Sequence, residues 1–92
     1  MGLTITRIKN TFNVEGHINV STASYFRTHF AITLNSLDGL NIDINNVTEI
    51  DSDGINAIRT IYDKALMWNK PFAIVGKGSK EIYDAFKYFN VA

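Results

Sequence analysis

The stretch LNIDINNVTEIDSDGINAI, residues 40–58, changes its hydrophobic period near its middle. Leu40, Ile42 and Ile44 alternate with polar residues, which is the pattern of a half-buried strand. From Ile55 onward, apolar residues recur every three or four positions, as they do on the buried face of a helix. The stretch therefore predicts a strand that leads through a short connection into a helix, the repeating unit of an α/β sheet.

The residues that precede this stretch predict a hairpin and a first helix. LTITRI at 3–8 and TFNVEG at 11–16 alternate apolar and polar residues on either side of a KNT turn, which favours two antiparallel strands. Residues 20–37 then carry apolar side chains at helical spacing. Ser21 or Thr22 stands where the N-cap of this helix is expected.

The residues that follow predict one more strand and one more helix. PFAIVG at 71–76 is apolar throughout, which is typical of a strand covered on both sides or deep in the sheet. SKEIYDAFKYF at 79–89 has helical periodicity, with Ser79 as its expected cap. The order β-β-α-β-α-β-α predicts a single α/β domain over residues 1–92, with parallel strand pairs beside the hairpin. The expected core comprises Phe26, Phe30, Ile42, Ile44, Ile58, Ile61, Ala73 and Val75.

Composition narrows the class of function. Nine basic and nine acidic residues cancel, so no bulk positive charge favours nucleic acid or an acidic membrane. The absence of cysteine excludes disulfides and thiolate metal sites, and it fits a reducing cytoplasm. No apolar run approaches the roughly 20 residues that span a bilayer, and the first ten residues lack the features of a signal peptide. We therefore expect a cytoplasmic protein without membrane insertion.

The residues suited to catalysis or to metal binding form no recognisable motif. His17 and His29 lie twelve positions apart, without the spacing of a metal site, and are expected to be structural. VGKGSK at 75–80 lacks the spacing of a phosphate-binding loop and is explained as a strand-to-helix turn. The sequence therefore predicts no catalytic residue, no metal and no cofactor.

The DSDG segment carries more negative charge than a helix start requires. Glu49, Asp51 and Asp53 surround Ser52, and Gly54 follows at once. Ser52 or Asp51 would cap the helix, and an acidic residue in the first turn is favourable there. One carboxylate suffices for a cap, so the residues leave two interpretations open: Ser52 is a structural residue, or it is the functional group of the protein.

The order of elements and three motifs together resemble the STAS domain, in particular the single-domain anti-sigma factor antagonists of bacteria. FNVEGHINVSTASYF at 12–26 is similar to the second strand and first helix of that family, with Gly16 at its glycine position. Residues 40–58 resemble its signature, in which a strand carrying Asp43 precedes Asp-Ser-x-Gly. Residues 71–91 resemble its last strand and helix. The resemblance implies a mixed four-stranded sheet with helices packed mainly on one face.

The resemblance also implies a mechanism of partner switching. In this family, the unmodified antagonist binds an anti-sigma factor that is also a serine kinase, and phosphorylation of the antagonist releases it. By position, Ser52 would be the phosphoacceptor and Asp51 its acidic neighbour. The kinase would supply ATP, so this chain would be a ligand and substrate rather than an enzyme, and a phosphatase would restore it. The partner-binding surface implied in this way comprises Asn19, Asp43, Asp51, Asp53, Gly54, Asn56 and Arg59.

Three positions depart from the family pattern. Asn19 stands where many members have aspartate, Asp53 replaces the usual second serine or threonine, and Asn56 replaces a frequent glycine. The last two changes would tune the switch, specialise the partner or end phosphorylation.

Two other classes of function remain open from the residues. The chain could be a non-switching STAS subunit of a larger complex, such as a lipid-transport assembly, with Ser52 as a cap alone. It could also be a nucleotide-binding module that uses its strand-to-helix turns, although no motif in it is specific for that class.

Overall fold

The computed structural model describes residues 2–87 and 89 of this chain. Four strands and three helices follow one another in the predicted order, which is thereby confirmed. The predicted ends of the domain, at residues 1 and 92, lie outside the described residues, as does residue 88 of the predicted last helix. The elements are β1 (Leu3–Ile8), β2 (Thr11–Ile18), α1 (Ala23–Ser36), β3 (Leu40–Ile50), α2 (Ser52–Met67), β4 (Phe72–Val75) and α3 (Lys80–Phe86).

The strands form one mixed sheet in the spatial order β1-β2-β3-β4. β1 and β2 are antiparallel and form the predicted hairpin. β2 pairs with β3 and β3 pairs with β4 in parallel, as strand–helix–strand units require. In the turn between β1 and β2, Lys9 has a φ of 57°, a left-handed conformation that matches the twist of hairpin strands.

β3 is longer than the alternating pattern predicts, because it continues up to the start of α2. Its pairing with β2 shifts twice, between Asn13 and Glu15 and again between Gly16 and His17. At each shift β3 accommodates one more residue than β2 does, which is the geometry of a β-bulge. The bulges break the alternation of buried residues after Ile44, so that Val47 faces the core. The residues expected to connect the strand to the helix are therefore part of β3 and pair with β2.

The core lies between the sheet and its three helices. Six of the eight predicted core residues are fully buried: Phe26 and Phe30 from α1, Ile42 and Ile44 from β3, and Ile58 and Ile61 from α2. On the opposite face of the sheet, the register neighbours Thr6, Asn13 and Asp43 are polar and partly or fully exposed. This arrangement confirms helices packed mainly on one face. No helix within the described part of the chain is long and apolar enough to cross a membrane.

The remaining two core predictions, Ala73 and Val75, are wrong. β4 is an edge strand whose buried residues are Phe72 and Ile74, whereas Ala73 and Val75 are only partly buried. A continuous apolar run does not reveal which alternate residues face the core, nor whether the opposite face of the sheet is covered. The expectation that this strand is covered on both sides or deep in the sheet is therefore wrong as well.

Candidate functional site at the start of α2

Asp51, and not Ser52, is the N-cap of α2. The Asp51 backbone is extended, and its Oδ1 accepts a hydrogen bond from the Gly54 N–H at 2.9 Å. Its carbonyl oxygen accepts the first helical hydrogen bond, from the Ile55 N–H at 2.9 Å. Ser52 is thus the first residue inside the helix. Of the two caps that the sequence allows, the Asp51 alternative is confirmed and the Ser52 alternative is wrong.

The second oxygen of the Asp51 carboxylate connects α2 to the segment between β2 and α1. Oδ2 accepts a hydrogen bond from the Val20 N–H at 3.2 Å, and the Asp51 N–H donates to the Ile18 carbonyl oxygen, also at 3.2 Å. Both carboxylate oxygens therefore have backbone partners. The start of α2 is therefore held by Ile18 at the end of β2 and by Val20 in the chain that leaves this strand.

Gly54 allows α2 to approach β2 closely. The residue is buried, and a Cβ at this position would overlap the Ile18 carbonyl oxygen and lie 2.9 Å from Cγ1 of Ile50. Its backbone does not require a positive φ, so the demand for glycine is one of space. The close approach of α2 to the end of β2 therefore explains why glycine occupies this position.

Ser52 is exposed at the start of the helix. Its hydroxyl makes no hydrogen bond within residues 2–87 and 89, since Asp51 performs the capping. Asp53, the next residue, is also exposed. The hydroxyl is therefore available to an external reactant, and a change at this position leaves the cap intact.

A third carboxylate is held nearby by the end of β2. Oε1 of Glu49 accepts a hydrogen bond from Nδ2 of Asn19 at 3.3 Å and lies 3.3 Å from Nδ1 of His17. His17, predicted to be structural, thus borders the site. His17 and Glu49 are register partners across β2 and β3. The sequence could not pair them, because two bulges shift the register between these strands.

Asn19 also shapes the turn that leads into α1. Its Oδ1 accepts a hydrogen bond from the Ser21 N–H at 3.0 Å, and its own N–H donates to the Thr22 hydroxyl at 3.0 Å. That hydroxyl in turn donates to the His17 carbonyl oxygen at 2.7 Å. Thr22 occupies the predicted N-cap position of α1, but its side chain stabilises this turn and makes no capping bond.

Asp43 and Asn45 belong to a second, separate cluster. Oδ1 of Asp43 accepts a hydrogen bond from the Asn45 N–H at 2.9 Å, and Oδ1 of Asn45 accepts one from the Lys77 N–H at 2.9 Å. These contacts hold the turn between β4 and α3, in which Gly76 and Gly78 have positive φ.

Ser79 caps α3, as predicted: its hydroxyl oxygen accepts a hydrogen bond from the Ile82 N–H at 3.3 Å.

The sheet register places the two clusters well apart. Asp43 lies opposite Asn13, whereas Ile50 lies opposite Ile18, five residues further along β2. At about 3.3 Å per residue, this separation is about 16 Å along the sheet. The single surface expected from the sequence therefore consists of two clusters, and Asp43 lies with the β4–α3 turn rather than with Ser52.

The outer face of α2 continues from Ser52 toward the C-terminal end of the helix. Asn56, Arg59 and Thr60 are exposed at helical spacing from Ser52. The Arg59 guanidinium lies over the Phe89 ring at 5.9 Å, and the Thr60 hydroxyl donates to the Asn56 carbonyl oxygen at 3.0 Å. The α2 surface, defined here as Ser52, Asp53, Asn56, Arg59 and Thr60, is thus polar and accessible. In the described part of the chain, no group of three or more His, Asp and Glu side chains could hold a metal ion.

Comparison with known proteins identifies the fold. No protein-family model matches this sequence, and no curated protein is similar to it in sequence. The anti-sigma factor antagonist SpoIIAA in its unphosphorylated form has a TM-score of 0.74 at 10% identity, over 99% of this chain and 87% of that chain. An anti-sigma factor antagonist from Mycobacterium paratuberculosis has a TM-score of 0.71 at 22% identity, over 97% and 82% of the two chains.

A further structure, the Bacillus cell fate determinant SpoIIAA in its phosphorylated form, has a TM-score of 0.70 at 11% identity, over 95% of this chain and 82% of that chain. These identities are low, so the likeness concerns the path of the backbone. The resemblance to the STAS domain that the sequence indicates is confirmed at this level. This chain has the fold of the anti-sigma factor antagonists.

Proposed function

We propose that this chain is a phospho-switchable protein-binding module of the bacterial cytoplasm. In its unmodified form it binds an anti-sigma factor that is also a serine kinase, and phosphorylation of Ser52 releases it. The observation that carries the proposal is the Ser52 hydroxyl, which is exposed and free of hydrogen bonds within the described residues, in a fold shared with SpoIIAA in unphosphorylated and phosphorylated forms.

The cap geometry supports a switch that does not unfold the helix. Because Asp51 caps α2, a phosphate on Ser52 would leave the hydrogen bond to Gly54 in place. A phosphate also carries the sign of charge that the N-terminal end of a helix favours. Modification would therefore change the surface of the protein and leave its fold intact.

The charge around Ser52 supports release as the consequence of phosphorylation. Glu49 and Asp53 are exposed, and Glu49 is held in place by Asn19. A phosphate adds about −1.5 to −2 charges to this acidic surface. A partner that packs closely against the unmodified surface would then have to bury several like charges, which is strongly unfavourable.

The partner would contact the α2 surface together with Asn19. The exposed positions Asn56 and Arg59 extend the contact beyond Ser52, while Asp51 and Gly54 position the helix start from beneath. The permanent charge of Asp53 and the amide of Asn56 would then select among partners. In this role the chain performs no catalysis: the kinase supplies ATP and magnesium, and a phosphatase restores the unmodified form.

The proposal is tested by incubating the protein with ATP and a cognate serine kinase of the anti-sigma factor class. We expect one phosphate, located at Ser52 by mass spectrometry, and loss of the complex in calorimetry. Ser79→Ala is the matched control, because Ser79 is also exposed but caps α3. No phosphate in the parent protein, or incorporation that persists in Ser52→Ala, would contradict the switch and favour the non-switching subunit of a larger complex.

A further inference from the structure

β1 is an open edge of the sheet. It is the first strand in the order β1-β2-β3-β4, and no strand of the described chain pairs with its outer side. Thr4, Thr6 and Ile8 are exposed, and the Ile8 side chain has 72% of its surface accessible. Natural edge strands are usually protected from pairing by a proline, a bulge or an inward-facing charge. The segment LTITRI has no proline, and its pairing with β2 has no bulge. Its one charged residue, Arg7, shares the helix side of the sheet with Leu3 and Ile5, but its side chain is exposed.

The hydrogen-bond phase of the hairpin identifies the backbone groups that face outward. The His17 N–H donates to the Gly2 carbonyl oxygen at 3.3 Å, so this pair is a hydrogen-bonded pair of the antiparallel ladder. Hydrogen-bonded pairs occur at every second residue of an antiparallel strand. The backbone N–H and C=O groups of Thr4, Thr6 and Ile8 therefore also point toward β2. Leu3, Ile5 and Arg7 direct three N–H and three C=O groups away from it.

From this geometry we infer that β1 pairs antiparallel with β1 of a second copy of the chain, with Ile5 opposite Ile5. The two four-stranded sheets then form one continuous sheet across a two-fold axis. Leu3 of one copy lies opposite Arg7 of the other, and Thr4 lies opposite Thr6. In this register every outward N–H and C=O group of Leu3, Ile5 and Arg7 has a partner in the second copy, because Leu3 and Arg7 are placed symmetrically about Ile5.

The side chains match in the same register. Leu3 and Ile5 lie on the helix side of the sheet and are half-buried, so Ile5 meets Ile5 where apolar surface is still exposed. On the open side, threonine meets threonine. The exposed Ile8 lies opposite Gly2 of the second copy. No atom lies within 4 Å of where a Cβ of Gly2 would be, so the space beside this glycine is open to the Ile8 side chain.

Charge does not oppose this pairing. Arg7 is the charged residue of β1, and it lies opposite an apolar residue of the second copy. Its Nε donates to the Lys9 carbonyl oxygen at 2.7 Å, and its guanidinium lies 5.5 Å from the centre of the Phe12 ring. The head group is thus held against its own hairpin. The pairing also leaves Ser52 unchanged, so this inference is independent of the proposed switch.

Sedimentation equilibrium of the full chain, from about 1 µM to about 1 mM, tests the inference. We expect a reversible dimer in the parent protein and in Ser52→Asp. Thr4→Lys/Thr6→Lys places like charges opposite each other twice and should weaken the dimer at least about tenfold. The control variant Thr4→Lys/Thr6→Glu has the same substitution at position 4 but places opposite charges across the two strands. It should dimerise at least as well as the parent.

Engineered cysteines provide a second test, in a chain that has none of its own. Thr4 and Thr6 of the two copies would form a non-hydrogen-bonded pair with Cα atoms about 4.5 Å apart, which is within disulfide range. A mixture of Thr4→Cys and Thr6→Cys proteins should form the mixed disulfide in preference to either homodimer. Thr28→Cys, exposed on α1, should remain uncrosslinked at the same concentration.

Circular dichroism should show that all these variants are folded, since the substituted threonines are exposed. A parent protein that stays monomeric up to the highest concentration would overturn the inference. Equal dimerisation of the Lys/Lys and Lys/Glu variants, or equal crosslinking of Thr28→Cys, would overturn it as well.

Discussion

The Asp51 carboxylate accepts a hydrogen bond from the Gly54 N–H at 2.9 Å, and this bond caps α2. The neighbouring Ser52 hydroxyl has no partner in the described residues and faces outward. Structural and proposed switching roles are thereby assigned to adjacent residues.

Removing the cap should cost far more stability than removing the serine. Asp51→Ala loses the bonds to Gly54 and Val20 and should lower the free energy of unfolding by about 1–2 kcal/mol. Ser52→Ala removes an exposed, unbonded hydroxyl and should change it by about 0.5 kcal/mol or less. Urea denaturation measures both values. An equal cost for the two variants would show that Ser52 contributes to the cap.

Gly54→Ala should destabilise the protein by about 1–3 kcal/mol, because its methyl group would overlap the Ile18 carbonyl oxygen and force α2 away from β2. Gly2→Ala is the matched control, since nothing lies within 4 Å of a Cβ at that position. Thermal unfolding of the two variants compares them directly. Similar midpoints would indicate that α2 can shift without cost.

The charge at position 52 should control binding to the anti-sigma factor kinase. Ser52→Ala should bind with the affinity of the unmodified protein and accept no phosphate, whereas Ser52→Asp should bind at least about tenfold more weakly. Calorimetry measures both affinities, and an Asp at the first helical position does not disturb the fold. Equal, parent-like affinities would leave Ser52 without a role in binding.

A bulky residue on the α2 surface should also weaken the complex. Asn56 is exposed one turn beyond Ser52, so Asn56→Arg should obstruct a partner that packs closely there and reduce its affinity about tenfold. Asn35→Arg, exposed on α1, introduces the same side chain elsewhere and should have no effect. If both variants bind like the parent, the docking surface lies elsewhere on the molecule.

His29 should make stability depend on pH. The rings of Phe12, Tyr25 and Phe30 surround it. Its Nδ1 is buried and makes no hydrogen bond to any described residue, and burial lowers its pKa from the ordinary 6.5. The unfolded chain takes up this proton at a higher pH than the folded chain does. Stability should therefore be fully present above pH 6.5 and decrease as the pH falls below it.

Urea midpoints measured over this pH range should show the decrease in the parent protein. The variant His29→Leu places an apolar side chain at this position and removes the titrating group, so its midpoint should depend less on pH. The same pH dependence in both proteins would assign it to other groups.

The sequence by itself determined the order of the elements and placed the cap of α2 at one of two adjacent residues, Asp51 or Ser52. These features depend on hydrophobic period and on turn and capping residues, which act over a few neighbouring positions. The same local patterns identified six core residues, from Phe26 to Ile61, and the resemblance of residues 40–58 indicated the fold.

Only the tertiary structure decided which polar residues come together. The cap belongs to Asp51 because the chain leaving β2 places the Val20 N–H and the Ile18 carbonyl oxygen beside it. Asp43 lies apart from Ser52 because β3 continues over the intervening distance. Likewise, Ala73 and Val75 are only partly buried because they lie on the polar face of the sheet, beside Asn41 and Asp43 and opposite the core. The physical reason is common to these cases: strand register, bulges and sheet edges arise from pairing between distant segments, and local periodicity carries no information about such pairing.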